Sequence, residues 1–496
     1  MAEKVDVLLI NPGDTRQIYQ SLGDQLSAIE PPVYAGLFAG YLRHKGLTAA
    51  IYDTPALLSS AEEAARAACT DFQATLIVMP VYGFQPSAST QNMGSAGRIA
   101  RLIKEQDPDR KILMTGTHPA ALPRQTLEEE AVDFVCDGEG PHTILGVVQA
   151  LRSGATDFAN VPALWWRDGQ KIVPSRGPAP LIQDLDQEMP EMAWDLLPME
   201  RYRAHNWHCF GHSNGRTPYA SLYTSLGCPF SCNFCCINAP FGKPSYRMWS
   251  PHKVVGWIDH LVEHYGVHNI KFVDEMFLLN KRHVGTLCDL LLQRDYTVNI
   301  WAYARVDTIY DELLEKLHAA GCNWLALGIE SADSTVRDGA HKSMGNSEIT
   351  QAVQRIQKAG IHVLGNYMFG LPDDTPARMQ DTLDLATELN CEFANFYSAM
   401  AYPGSQLYQT ALQEKRALPK EWSHFSQHAY ATMPLANQHC TSAEILAFRD
   451  KAWHSYFTNP RYLEMVLGKF GPQVVTEIQQ MTRLQLPRQL LEQPVP

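Results

Sequence analysis

Tyr219-Ala220-Ser221-Leu222-Tyr223-Thr224-Ser225-Leu226-Gly227-Cys228-Pro229-Phe230-Ser231-Cys232-Asn233-Phe234-Cys235-Cys236 is the stretch from which the rest of the chain can be read. Residues 219–225 have the aromatic and hydroxyl-rich composition of a strand, and Gly227 and Pro229 end it in a loop. Downstream the pattern repeats, with strands expected at 269–273, 298–302, 324–328, 362–369 and 393–396 and helices between them. Ser347 can cap a helix whose inner face is Ile349, Val353 and Ile356, and Gly360 can end it. Thr375-Pro376 opens another, with Met379, Leu383, Ala386 and Leu389 on one side. Two units repeat each other, since Ala320-Gly321 leads into the strand at 324 and Ala359-Gly360 into the strand at 362. Six β/α units between 216 and 415 imply an open or partial barrel rather than a full eightfold one.

Upstream, residues 1–155 alternate strands at 5–10, 49–52, 75–80, 111–115 and 132–136 with helices at 33–47, 61–69, 94–104 and 142–152. The expected fold class is α/β, with a doubly wound, Rossmann-like first domain whose ligands sit at the carboxyl ends of its strands. Those ends carry Asn11-Pro12-Gly13, Asp53, Tyr82-Gly83, Gly116-Thr117-His118-Pro119 and Gly138-Glu139-Gly140. Two readings stand for them: glycines that let a large ligand approach the backbone, or ordinary strand-to-helix turns. An Asp168-Gly169 turn inside residues 164–172 reads as a hairpin, and residues 156–215 read as a linker, rich in proline between 174 and 198. Residues 416–496 read as a small helical cap, with a helix at 442–457 and with Trp422, His424, His428 and Trp453 in no chemically telling spacing.

Composition narrows the function. Of 496 residues 45% are hydrophobic and 19% charged, which excludes disordered, collagen-like and coiled-coil chains. The net charge of −12, with no long basic run, gives no electrostatic support for nucleic-acid binding. No apolar run is long enough to span a bilayer or to serve as a signal peptide, so the expectation is a cytoplasmic protein whose thiols stay reduced. Eleven cysteines are too dilute for a disulfide scaffold, yet four of them fall within residues 228–236.

Cys228, Cys232 and Cys235 are separated by gaps of three and two residues, so their sulfurs can converge on one cluster. A structural zinc site wants two separated pairs, and no distant Cys-x-x-Cys pair exists here. Three thiolates on a four-iron cluster leave one iron open to a substrate or cofactor. Cys236 lies outside the pattern and reads as a packed neighbour or as a redox or alternative ligand.

The loop resembles the hallmark Cys-x-x-x-Cys-x-aromatic-Cys of the radical S-adenosylmethionine (SAM) superfamily, with Phe234 at the aromatic position. The resemblance implies a 4Fe–4S cluster on Cys228, Cys232 and Cys235. It further implies SAM chelated to the fourth iron and its one-electron cleavage to a 5′-deoxyadenosyl radical. A small electron donor such as flavodoxin or ferredoxin is implied with it. Phe234, Asp274, Glu275, Arg305, Glu330, Ser331 and Asn366, with Gly370-Leu371-Pro372 nearby, would line the cofactor or serve as salt-bridged strand ends.

The preceding doubly wound domain resembles the cobalamin-binding branch of that superfamily, in particular the group related to the anaerobic magnesium-protoporphyrin monomethyl ester cyclase. The resemblance rests on Val7-Leu8-Leu9-Ile10-Asn11-Pro12, Pro31-Pro32-Val33-Tyr34-Ala35-Gly36-Leu37, Gly116-Thr117-His118-Pro119 and Asp137-Gly138-Glu139-Gly140, and extends to about residue 415. It implies cobalamin held by Asn11, Pro12, Asp53, Tyr82, Gly83, Gly116, His118, Gly138, Glu139 and Gly140. Where related domains carry Asp-x-His-x-x-Gly, this chain has Asn11-Pro12-Gly13-Asp14-Thr15, so a histidine lower ligand is not expected and His118 reads as a local hydrogen-bonding group.

The leading expectation is a cobalamin-dependent radical enzyme that methylates an unactivated carbon of a small molecule through methylcobalamin. The alternatives are a cyclase or oxidoreductase of the porphyrin-ester type without methyl transfer, and a non-catalytic cobalamin or iron–sulfur sensor. Tyr202, Trp207, Trp249, Trp301, Tyr303, Tyr397 and Tyr402 either line a pocket or pack a core.

Overall fold

Strand β1 (Glu3–Asn11) has Val7, Leu8, Leu9 and Ile10 wholly buried, because it lies inside a sheet covered by helices on both faces. The computed structural model describes residues 2–14, 18–22, 27–83, 85, 87–211, 215–342 and 344–492; Thr15 of the first loop lies outside them. β1 pairs in parallel with β2 (Ala49–Asp53) and β3 (Phe72–Pro80), and β4 (Ile112–Thr115) and β5 (Phe134–Cys136) continue outward from β3. Helices Val33–His44 and Pro141–Arg152 cover one face, and Ala61–Thr70 and Ala88–Gln106 cover the other.

Two local expectations need correction. The hairpin is no separate piece: β6 (Leu164–Asp168) pairs antiparallel with β5, and β7 (Lys171–Pro174) closes a seven-stranded sheet in the order β2-β1-β3-β4-β5-β6-β7. Trp166 opposite Phe134 drives this pairing, since its ring packs on Phe158, which in turn packs on Phe134. The helix expected from 94 starts at Ala88 and runs through Gly94 and Gly97. Gly97 is a packing device, because a Cβ there would fall 1.9 Å from the Glu130 carboxylate.

The second sheet is all parallel, in the order β15-β14-β13-β12-β11-β8. Its strands are β8 (Tyr219–Leu222), β11 (Asn269–Phe272), β12 (Asn299–Ala304), β13 (Cys322–Glu330), β14 (His362–Phe369) and β15 (Phe393–Ser398). Among the described residues β8 and β15 do not pair, so this is an open barrel. The strand expected over 219–225 breaks after Leu222. Asp274 accepts hydrogen bonds from the Thr224 backbone (2.9 Å) and hydroxyl (2.7 Å) and from Ser225 Oγ (2.5 Å), pulling the chain off β11. It then forms a two-residue strand, β9 (Ser225–Leu226), with β10 (Arg247–Met248).

The linker and the C-terminal segment join the two sheets. Tyr202 donates to Asp53 (2.8 Å), and Trp207 lies among Trp301, Trp324 and Phe393. Helices Ser442–Phe457, Pro460–Phe470 and Pro472–Met481 form the cap, while the turn Trp422–Phe425 packs on Ala88–Gln106 of the first domain. None of the described helices is long and apolar enough to cross a membrane.

Candidate active site

The cysteine loop leaves β9 through Gly227, whose φ of +85° and whose missing Cβ, 2.6 Å from the Ser245 carbonyl, require glycine. Phe234 anchors the loop between Val336, Ala340, Leu371 and Ala399 on one side and Ala401, Leu407 and Tyr408 on the other. Asn233 adds a bond from Nδ2 to the Gly339 carbonyl (2.7 Å). With the loop so held, Cys228, Cys232 and Cys235, all free and half-buried, line one chamber of about 270 Å³. Burial pushes the Cys228 thiol up to about 11 and the Cys235 thiol well above its ordinary value, so a cationic centre is needed to hold them as thiolates. Among the described residues no three Cys, His, Asp or Glu side chains are gathered for a single metal ion. Thiolates that each ligate a different iron of a cluster have no need to meet at one point, so the donor set fits a cluster.

Five of the residues expected there line the same chamber: Phe234, in the cysteine loop itself, and Glu275, Arg305, Glu330 and Asn366. Arg305 lies over the Phe230 ring, 4.0 Å from its centroid, with Nη1 4.0 Å from Cys232 Sγ and its other nitrogens on Asp307 (2.9 and 3.1 Å). Glu275 is pushed up to about 8 by burial, so it is largely protonated at neutral pH. Glu330 sits at φ +64°, after a register shift against β14, and accepts from Lys342 Nζ at 2.6 Å. Asn366 accepts from Asn395 (3.1 Å). The other two expected residues stand behind the chamber. Asp274 locks the β8–β9 break described above, and Ser331 pairs with Thr382 (3.2 Å) while accepting from the Asp333 backbone. Lys342 and Gly328 line the chamber without any sequence signal, because Lys342 arrives on the connection after the short helix Ser334–Gly339.

The chamber shares Gln85, Ser87, Tyr303, Tyr397, Tyr402 and Gln427 with a larger cavity of about 610 Å³ enclosed by the first domain, the barrel and the cap. From the first domain this cavity takes Tyr19, Gln85, Ser87 and Gln91, with Leu22, Ser27, Glu30 and Ala88 beside them. None of the residues expected at cobalamin, Asn11, Pro12, Asp53, Tyr82, Gly83, Gly116, His118, Gly138, Glu139 and Gly140, lines this cavity. Their groups meet protein instead. Asn11 donates to Asp53 (2.8 Å), whose carboxyl burial raises to about 6. Tyr82 stacks on Tyr34 at 3.6 Å, and Glu139 pairs with Arg247 at 2.7 Å. His118, pushed down to about 3 by burial, touches Thr90 (3.2 Å) and the Trp422 ring. Gly116, Gly138 and Gly140 face Val81, Ala163 and Phe38, where a Cβ would clash. Asn11, Tyr82 and Gly83 border a hollow of only about 30 Å³. The loops after β1 and β3, rather than the strand ends, carry the first domain's free polar surface toward the barrel. Of the aromatics noted above, Trp207, Trp301, Tyr303, Tyr397 and Tyr402 line the cavity, while Tyr202 and Trp249 are core.

Residues 222–386 match the radical SAM superfamily and residues 21–148 the B12-binding domain. An uncharacterised methyltransferase of Pyrococcus horikoshii is 30% identical over 380 residues, covering 76% of this chain and 79% of that protein. The anaerobic magnesium-protoporphyrin IX monomethyl ester cyclase of Rubrivivax gelatinosus is 27% identical over 470 residues, 93% of this chain and 79% of that one. Among solved structures, the radical SAM methyltransferase TsrM of Kitasatospora setae superposes with a TM-score of 0.67 at 16% identity, covering 96% of this chain and 99% of that one. The cobalamin-dependent SAM radical enzyme OxsB superposes with a TM-score of 0.70 at 14% identity, covering 97% and 72%. Both structural likenesses are likenesses of fold.

Proposed function

Because this chain belongs to the cobalamin-binding radical S-adenosylmethionine enzymes, we propose that it transfers a methyl group to an unactivated carbon of a small-molecule substrate. The observation that carries the reading is the continuity of the cysteine chamber with the cavity under the first domain, which lets a carbon centre and a methyl carrier reach one substrate. Cys228, Cys232 and Cys235 would hold the cluster; Phe234, Glu275, Arg305, Glu330 and Asn366 would surround SAM. Tyr19, Gln85, Ser87 and Gln91 would face cobalamin from the first domain. When bound, these groups supply reductive cleavage of SAM and a methyl carrier.

The chain's own residues do the rest. Arg305 places a guanidinium beside the Cys232 sulfur and so offsets thiolate charge. Lys342 holds Glu330 in its strained conformation, fixing one wall of the chamber. The enclosed aromatic walls exclude water from a reactive carbon centre. A one-electron donor of the flavodoxin or ferredoxin class would feed the cluster, in the reducing cytoplasm.

The test is anaerobic incubation of the cluster- and cobalamin-loaded protein with methyl-labelled SAM and cell extract. Label in a small molecule, with S-adenosylhomocysteine and 5′-deoxyadenosine formed, is the expected result. A product formed with 5′-deoxyadenosine but without label would favour the cyclase or oxidoreductase reading, which the 93% coverage by the Rubrivivax cyclase makes the second choice. An intact cluster that never cleaves SAM would leave only a sensor.

A further inference from the structure

The 610 Å³ cavity carries an unbalanced charge on one wall. Arg449 donates from Nη1 to Asp450 (2.7 Å) and from Nε to the Phe396 carbonyl (2.8 Å). Arg488 grips the same Asp450 through Nε (3.0 Å) and Nη2 (3.1 Å), and its Nη1 donates to the Ala429 carbonyl (3.1 Å). Both guanidinium groups are buried, with side chains 9% and 2% exposed. Two cations thus share one carboxylate, leaving one positive charge out of bulk water. Elsewhere on the wall Lys271 is matched by Glu30 at 3.0 Å, and Glu492 lies exposed at the mouth with Tyr430 donating to it (2.7 Å).

A second observation points into the same place. His428 lines the cavity, and its Nδ1 is buried without a hydrogen-bond partner. Burial, then Arg449 and Arg488, hold its imidazole well below the ordinary histidine range, so it is neutral and can offer one N–H. A buried polar atom with no partner and a surplus buried cation are both costly in a native structure unless a ligand completes them. Around them the walls are Trp301, Phe393, Phe396 and Trp453.

We propose that Arg449, Arg488 and His428 form an anion subsite in this cavity, and that the substrate is a largely apolar, ring-bearing molecule with one carboxylate. The identification as substrate rests on the methyl-transfer reading; the subsite itself does not. One surplus cation matches a monoanion, whereas a dianionic phosphate would overcompensate it. The flat aromatic walls suit stacked rings. The phosphodiester of cobalamin is the other monoanion that could reach the subsite.

Equilibrium dialysis of the full chain, with cluster and cobalamin loaded, tests this with 1-pyrenebutyrate and 1-pyrenebutanol, which differ only at the carboxylate. The expected result is pyrenebutyrate bound at least about tenfold more tightly, a difference that Arg449→Met abolishes. Arg449→Met leaves Asp450 and Arg488 as a matched pair and removes one bond to the Phe396 carbonyl, so the thermal midpoint of the variant is measured beside its binding; Asp450→Asn, which adds surplus charge, is expected to widen the preference. Equal binding of the two probes, or a preference that Arg449→Met leaves intact, overturns the proposal. Cobalamin and cobinamide, which lacks the phosphodiester, are titrated in parallel. Weakening of cobalamin alone by Arg449→Met would give the subsite to the cofactor and overturn the proposal as well. None of these readouts needs turnover, so a failed methylation assay leaves them interpretable.

Discussion

Asp53 shows what becomes of a carboxylate at a strand's end once a second domain is laid over it. It is 1% exposed, with Asn11 and Tyr202 donating to it, and burial raises it to about 6. Because that value lies above the ordinary one near 4, the folded state binds this proton more tightly than the unfolded chain does. The stabilisation it brings is therefore complete below about pH 4 and is lost as pH rises through 6. Asp53→Asn should remove that dependence: urea unfolding at several pH values should show the variant gaining roughly 3 kcal/mol relative to the wild type between pH 4 and pH 7. The cysteines divide by the same kind of local reasoning. All four line the chamber, but Cys228, Cys232 and Cys235 are half-buried, whereas Cys236 is 3% exposed, outside the cysteine spacing, with its Cβ near Gly404. Single alanine substitutions at the first three should each abolish iron and sulfide incorporation. Cys236→Ala should retain it, and an iron content near zero in that variant would place Cys236 among the ligands.

At the scale of single elements, the end of β13 carries local strain inside the chamber wall. The register shift between Gly328 and Glu330 and the positive φ of Glu330 turn a carboxylate into the chamber, and Lys342, 6% exposed, is what it meets. Glu330→Gln leaves that ammonium buried without a counter-charge and should cost about 3–5 kcal/mol in denaturant unfolding. The double variant Glu330→Gln, Lys342→Met should recover most of the loss; if it does not, the strain rather than the ion pair governs the site. Much around this strand was legible beforehand. The β-branched runs, the Thr375 cap and the cysteine spacing are local patterns, and they placed the six parallel strands and the cluster loop; the cap expected at Ser347 falls instead on Gly345, whose backbone N–H the Glu348 carboxylate accepts, so that Ser347 lies inside the first turn. What escaped was non-local: Lys342 reaches the chamber only through tertiary packing, and the hairpin joins the first sheet because Trp166 finds Phe134. The residues named for cobalamin rest on an ambiguous signal for a related reason. Glycines at strand ends read the same whether a ligand or a neighbouring side chain such as Phe38 fills the space they leave. The polar residues that do face the barrel, Gln85 and Ser87 in the loop after β3 and Gln91 in the first turn of the helix that follows, carry no telling signal.

For the molecule as a whole, the question is how two separate α/β units act as one enclosure. The interface is built from buried polar contacts: Glu30 with Lys271 (3.0 Å), Glu139 with Arg247 (2.7 Å) and Tyr202 of the linker with Asp53 (2.8 Å). The cap adds a third side, since Ser426 donates to the Ile18 carbonyl (2.9 Å) and Trp422 to Glu129 (2.9 Å). Such contacts fix register as well as affinity, because a misplaced domain would leave each charge unpaired in low dielectric. The Glu30–Lys271 pair is the most informative of them. Both residues are nearly inaccessible, and the ammonium also lies 4.7 Å from the Trp301 ring centroid. Lys271→Met should leave the Glu30 carboxylate with only Ser221 (3.3 Å) and His205 (3.7 Å) beside it among the described residues and cost about 3–5 kcal/mol, whereas Glu30→Gln combined with Lys271→Met should cost markedly less. If the pair also couples the domains, the single variant should unfold in two resolved calorimetric transitions where the wild type shows one. A single transition at lower temperature would mean that the pair stabilises the barrel alone, and that the cap and linker hold the enclosure together.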